Sequence, residues 1–313
     1  MSRAFLFPGQ GSQAVGMGKD LAEAFATARE LFQEVDDALS QKLSKLMFEG
    51  PEADLTLTEN AQPALMAASM AVVRVLQKDF GVDLAARGSY AAGHSLGEYS
   101  ALCAMGALSV GDTARLLKLR GQSMQKAVPV GTGAMAALLG AELELAQQVV
   151  AEAAQGEILG CANDNGGGQV VISGQKSAVE RAIEVSKTKG VKRGMLLPVS
   201  APFHCAMMQP AADAMAEALA TVAMTAPKLP VVSNVTAKGE SNPDDIKTLL
   251  VQQVTGLVRW REGVQWLKAQ GVAQVVELGS GKVLAGLVKR IDKDIEPLSI
   301  GAPAELEAWA KSL

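Results

Sequence analysis

The pentapeptide Gly93-His94-Ser95-Leu96-Gly97 restricts the fold more than any other stretch of this chain. The run Ser89-Tyr90-Ala91-Ala92 before it reads as a short strand, and a helix is expected from about Glu98. A serine between two glycines at a strand-to-helix junction is the pattern of a nucleophile elbow. The glycines let two backbone segments pass close together while the serine takes the strained turn. Its hydroxyl is thereby exposed, at a helix N-terminus that favours developing negative charge.

The rest of the chain alternates in the same way. Residues 4–7 are a short apolar run ended by Pro8-Gly9, which reads as a buried strand entering a loop. Helices are expected over 18–48, over 61–80 with Pro63 in the first turn, and over 112–127. The segment 131–198 changes rhythm: strand 134–139, helix 142–154, strand 157–162, a glycine turn at 166–168, strand 169–173, helix 175–188, strand 194–199. This β-α-β-β-α-β order is the ferredoxin-like pattern. Helices at 207–221, 243–254, 259–270 and 282–291, with strands at 229–233 and 273–278, then resume the alternation. The expectation is an α/β fold with a mainly parallel sheet, built from 1–130 and 199–313, with 131–198 inserted as a small ferredoxin-like domain.

Composition narrows the function. Hydrophobic residues make up 49%, enough apolar surface to bury, so disorder is not expected. Twenty-nine Lys and Arg against 33 Asp and Glu leave a net charge of -4, which argues against a nucleic-acid binder. The N-terminus lacks the pattern of a signal peptide, and no apolar stretch is long enough for a membrane span. Cys103, Cys161 and Cys205 are widely spaced, which fits reduced thiols in a cytoplasmic protein better than a disulfide framework or a zinc knuckle. The only histidines are His94 and His204, so a histidine-rich metal site is excluded.

Ser95 needs a base. His94 adjoins it, so its side chain should point away from the serine's and pack or hydrogen-bond locally. His204 lies C-terminal to the serine after a strand end, as the base does in α/β-hydrolase order. The plainer reading is a partly buried histidine satisfied by backbone. Cys205 is a rival nucleophile without an elbow. On the 112–127 helix, about 100° per residue places Leu116, Leu117, Met124 and Ala127 on one face with Arg120 in its middle. A guanidinium there needs a partner, either a protein carboxylate or a bidentate substrate carboxylate.

Weaker signals lie elsewhere in the chain. The loop Pro8-Gly9-Gln10-Gly11-Ser12-Gln13-Ala14 reads better as an anion-facing loop than as a degenerate dinucleotide fingerprint. Gly279-Ser280-Gly281-Lys282 fails as a phosphate loop at Val276 and Val283, leaving close packing or a helix start. Lys187, Lys189, Lys192 and Arg193 read as a solvated helix end or as a docking patch for an acidic partner.

Taken together, the motifs resemble the malonyl-CoA:acyl carrier protein transacylase family. The likeness runs nearly end to end. It rests on Phe7 to Gln13, Gly93 to Ala101, Arg120-Gly121 with Met124-Gln125, Pro198-Val199-Ser200 to His204, and Glu277-Leu278-Gly279 with Gly281 to Leu284. It implies an α/β-hydrolase-like core, Ser95 as acyl-accepting nucleophile and His204 as base. It implies the N–H groups of Gln10 and Leu96 as the oxyanion hole and Arg120 as the clamp on the malonyl carboxylate. The histidine is expected to be oriented by the main-chain carbonyl of Gln253 rather than by a triad acid. The implied partners are malonyl-CoA and acyl carrier protein, with no cofactor and no metal. Apart from the resemblance, the core looks self-sufficient, so a monomer is the default expectation. On the elbow alone a serine hydrolase competes, but the placement of Arg120 and the lack of an evident triad acid count against it.

Overall fold

Alternate residues of the first strand feed two different cores. Phe5 and Phe7 belong to one buried cluster, Ala4 and Leu6 to another, and all four are fully buried. Successive side chains of a strand point to opposite faces, so this strand is covered on both sides, as in parallel sheets flanked by helices. The computed structural model describes residues 2–199 and 201–313. Met1 and Ser200, the latter part of the motif leading to His204, lie outside the described residues.

The strands are β1 (Ser2–Phe7), β2 (Tyr90–Gly93), β3 (Gly133–Leu139), β4 (Leu159–Asp164), β5 (Gln169–Gln175), β6 (Arg193–Leu196), β7 (Val231–Val232), β8 (Gly239–Glu240), β9 (Val272–Leu278) and β10 (Glu296–Ile300). A six-stranded sheet has the order β10-β9-β1-β2-β7-β8. Its pairings are parallel except β7 with β8. A separate antiparallel sheet has the order β4-β5-β3-β6, with helices Leu143–Ala154 and Lys176–Thr188 between its strands in sequence. The α/β class, the mainly parallel sheet and the ferredoxin-like order are therefore present. No described helix is long and apolar enough to cross a membrane.

Several expected elements differ in detail. The stretch 18–48 forms three helices, Lys19–Ala24, Ala26–Leu39 and Leu43–Glu49. It breaks where Phe25 is extended and again after Ser40 turns left-handed at φ 48. The next helix starts early, at Thr58, and runs to Lys78, so Pro63 sits in its second turn rather than its first. β6 ends at Leu196, short of the expected strand through 199, two residues before Pro198 removes a backbone donor. Strand β10 and helix Pro303–Lys311 had no sequence expectation. Pro297 within Glu-Pro-Leu-Ser-Ile masks the strand signal, and β10 is indeed an edge strand.

Parallel pairing of β1 with β2 aligns Phe7 with Gly93, so the loops after both strands emerge at the same end of the sheet. There the elbow glycines interlock. A Cβ on Gly93 would lie 1.9 Å from the Gly97 carbonyl, and one on Gly97 would lie 2.2 Å from the Phe7 carbonyl oxygen. Both contacts are with backbone, which has little room to yield. Gly97→Ala should therefore cost about 3 kcal/mol. Urea unfolding checks this, and an unchanged midpoint would show that the strand and helix can separate there.

Candidate active site

Ser95 sits at φ 54, ψ -112, a conformation non-glycine residues seldom adopt. It persists because its backbone is held on both sides. Its N–H donates to Asn234 Oδ1 at 2.7 Å, and its carbonyl accepts from Gln253 Nε2 at 3.0 Å. Asn234, just after β7, ties back to β2 by donating Nδ2 to the Gly93 carbonyl at 2.8 Å. Such strain is typically about 1–3 kcal/mol and needs this kind of over-determination.

Ser95 Oγ lies 2.8 Å from His204 Nε2. His204 is also left-handed, at φ 57, in the loop between β6 and the turn Ala206–Met208. Its Nδ1 is 2.9 Å from the Gln253 carbonyl oxygen. A carbonyl only accepts, so Nδ1 carries the proton and Nε2 offers its lone pair to the serine hydroxyl. Burial, then the Arg120 charge, pushes the His204 pKa from the usual 6.5 down to about 3. The imidazole is thus neutral and able to take a proton. His94 does point elsewhere, but its partner is distant in sequence: Nε2 is 2.9 Å from Asn165 Oδ1, just beyond β4.

Arg120, on helix Val110–Lys126, is 1% exposed. Its Nη1 donates to Gln62 Oε1 at 2.8 Å, and its Nη2 to Gln253 Oε1 at 2.9 Å and to Ser95 Oγ at 3.2 Å. The guanidinium carbon lies 5.7 Å from the centre of the Tyr99 ring. Nε has no hydrogen-bond partner among the described residues. Of the two partners considered for this cation, the protein carboxylate is absent: no ion pair to Arg120 occurs among the described residues. The carboxylate in its network is Glu98, and the Gln253 amide stands between them, donating to Glu98 Oε2 at 2.8 Å. Glu98 also accepts from the Asn234 N–H at 3.0 Å. Burial drives its pKa up to about 7, against these hydrogen bonds and the Arg120 charge.

Gln10 follows β1, and Gly9 packs so tightly on the elbow that a Cβ there would come 2.6 Å from the His94 carbonyl oxygen. Leu96 is the first residue of helix Leu96–Ala104, where N–H groups lack intrahelical partners. Both residues therefore flank Ser95. Asn234, Glu98 and Gln62 were not picked out from the sequence. Glu98 stood inside the quoted elbow motif, but nothing in its spacing marked it as a brace.

The remaining candidates resolve differently. Cys205 is buried and donates Sγ to the Pro202 carbonyl at 3.2 Å, and burial raises its pKa, so it is no rival nucleophile. No cluster of three or more His, Cys, Asp or Glu suited to a metal occurs among the described residues. Gly279, at φ 131, packs on Ser69, and Gly281 is followed by helix Val283–Ile291. Lys187 pairs with Glu184 at 2.7 Å and Lys189 with Glu152 at 2.8 Å, so half of the basic cluster is neutralised.

Residues 4–300 match the family model of the acyl transferase domain. The chain is 46% identical over 305 residues to the malonyl CoA-acyl carrier protein transacylase of Escherichia coli (strain K12), covering 97% of each. It belongs to that transacylase family. An acyl-carrier-protein-S-malonyltransferase from Bartonella henselae superimposes with a TM-score of 0.97 at 57% identity, covering 100% of this chain and 99% of that one. A malonyl-transacylase solved in complex with a type II PKS acyl-carrier protein gives 0.96 at 44% identity, covering 100% of each chain. The transacylase likeness thus extends over both sheets, not the elbow region alone.

Glu98 and His204 shape stability with pH in opposite senses. Glu98 stays protonated in the folded chain between the usual 4.5 and about 7, where the unfolded chain ionises, so its contribution is lost as pH rises through that window. His204 stays neutral in the folded chain between about 3 and 6.5, so its contribution is lost as pH falls through that window. Glu98→Gln removes only the first effect. The unfolding free energy of the wild type minus that of the variant should fall from about pH 4.5 to 7 and then level off. A difference flat with pH would show that Glu98 titrates as in the unfolded chain.

Proposed function

We propose that this chain transfers the malonyl group of malonyl-CoA to the phosphopantetheine thiol of acyl carrier protein through a malonyl-Ser95 ester, for fatty acid synthesis. The observation that carries the reading is Arg120, a buried guanidinium hydrogen-bonded to Ser95 Oγ and in no ion pair with a carboxylate among the described residues. A dicarboxylate-derived acyl group supplies the missing anion at the reacting centre.

His204 Nε2 takes the Ser95 proton as Oγ attacks the thioester carbonyl. The N–H groups of Gln10 and Leu96 hold the tetrahedral oxyanion. The intermediate collapses, the C–S bond breaks, and His204 returns its proton to the departing coenzyme A thiolate. The carrier thiol then gives its proton to His204 and attacks the ester, and Ser95 is reprotonated as it leaves. The Gln253 carbonyl keeps the imidazole in one tautomer throughout. Because the Arg120 charge is one cause of the low His204 pKa, a carboxylate on Arg120 offsets that charge and makes His204 a stronger base. No step calls for a metal or a cofactor.

The division into a catalytic core, 1–130 with 199–313, and a subdomain, 131–198, belongs to the same reading. The separate antiparallel sheet and its own apolar cluster around Ala136, Leu138 and Ile172 support it. A net-negative enzyme that receives an acidic carrier needs local positive charge. The 187–193 cluster offers it through Lys192 and Arg193, for which no ion pair occurs among the described residues. The reading takes the enzyme as a cytoplasmic monomer, in keeping with the lack of a membrane-crossing helix among the described residues.

Incubation with malonyl-CoA should add one malonyl mass to Ser95, and carrier protein should remove it. Ser95→Ala should abolish this labelling, whereas rapid hydrolysis without a stable ester would make the chain a hydrolase. Arg120→Ala should lower malonyl transfer by about 100-fold or more and narrow the gap to acetyl-CoA. Unchanged malonyl preference in that variant would remove the clamp from the mechanism.

A further inference from the structure

Arg120 leads away from the serine as well as towards it. Its Nη1 donates to Gln62 Oε1 at 2.8 Å, Gln62 Nε2 lies 2.9 Å from Thr58 Oγ1, and Thr58 Oγ1 lies 2.9 Å from Gln10 Oε1. The guanidinium has donors only, so the Gln62 atom facing it must be the oxygen. The Gln62 amide nitrogen then faces Thr58, whose hydroxyl accepts that N–H and donates its own O–H to Gln10 Oε1. Every link therefore points one way, from Arg120 to Gln10.

Gln62 and Thr58 are each 1% exposed, whereas Gln10 is on an exposed loop. Helix Val110–Lys126 and the start of helix Thr58–Lys78 are held in close contact by Gly121. A Cβ there would lie 2.5 Å from Glu59 Cα and 2.7 Å from the Thr58 carbonyl oxygen. The chain thus joins a rigid helix pair to the one exposed residue whose N–H is assigned to the oxyanion.

We propose that Thr58 and Gln62 are positioning residues: through this one-way chain Arg120 fixes the Gln10 side chain and hence the N–H that receives the oxyanion. The inference rests on the malonyl-Ser95 reading. It adds that the group binding the substrate carboxylate and the loop stabilising the transition state are parts of one hydrogen-bonded unit. An oxyanion donor acts through its aim, so loosening it lowers the rate of the chemical step and leaves substrate binding alone.

The test is single-turnover acylation of Ser95 by malonyl-CoA, quenched and read by intact mass. Thr58→Val keeps the shape of the side chain and removes its donor. Its maximal acylation rate should fall about 10-fold, while the half-saturating malonyl-CoA concentration stays within about two-fold of wild type. Thr58→Ser restores the hydroxyl and should restore the rate. Thr58→Ala repeats the test in case valine disturbs the helix start. Wild-type rates in both the valine and alanine variants, a weaker half-saturation at an unchanged rate, or a serine variant as slow as valine would each overturn the positioning role. A wild-type enzyme that takes up no malonyl group would overturn the functional reading and this inference together, which separates the two failures.

Discussion

A buried guanidinium that can only donate is the constraint on which the site depends. Arg120 pairs directly with no carboxylate among the described residues, and its hydrogen bonds go to the oxygens of two glutamines and one serine. Each glutamine is thereby turned with its amide nitrogen away from the arginine. Gln253 then directs its nitrogen to the Ser95 carbonyl and to Glu98, while its own main-chain carbonyl orients His204. Removing the acceptors would leave a desolvated charge, which costs far more than any one hydrogen bond supplies. The cation therefore organises Ser95 and His204 through neutral groups, with the Gln253 amide standing between it and Glu98.

The backbone makes this arrangement possible. Ser95 and His204 both have positive φ, and each is held by a hydrogen bond from outside its own element. Ser95 is gripped by Asn234 and Gln253, from the loop after β7 and from helix Pro243–Thr255. Parallel pairing of β1, β2 and β7 brings their following loops to one end of the sheet, where ligand sites of open α/β sheets form. Glycines at 93 and 97 remove the Cβ atoms that would hold the elbow helix away from β2 and β1 respectively.

Much of this was legible in the residue pattern. The elbow announced itself through two glycines and a serine between a strand and a helix. The separate antiparallel sheet announced itself through the change from long helices to β-α-β-β-α-β. Misjudged elements had local signals that tertiary contacts overrode. Phe25 and Ser40 interrupt an apolar periodicity that continues across them, so the three helices at 19–49 read as one. Pro297 conceals β10, because a proline is tolerated only at the edge and the sequence does not say which strand is the edge.

By itself, the sequence determined the α/β class, set Ser95 in an elbow, left His204 as the candidate to face it, and placed Arg120 on an apolar face in need of a partner. These follow from local period and from residue types few enough to be decisive, such as two histidines in 313 residues. Only the tertiary structure decided what Arg120 touches, which tautomer His204 holds, and that Asn234, Glu98 and Gln62 brace the site. The physical reason is separation along the chain. Ser95 meets His204 across 109 residues and the guanidinium meets Gln253 across 133. The acceptor on His204 is a main-chain carbonyl, a group every residue carries and no spacing distinguishes.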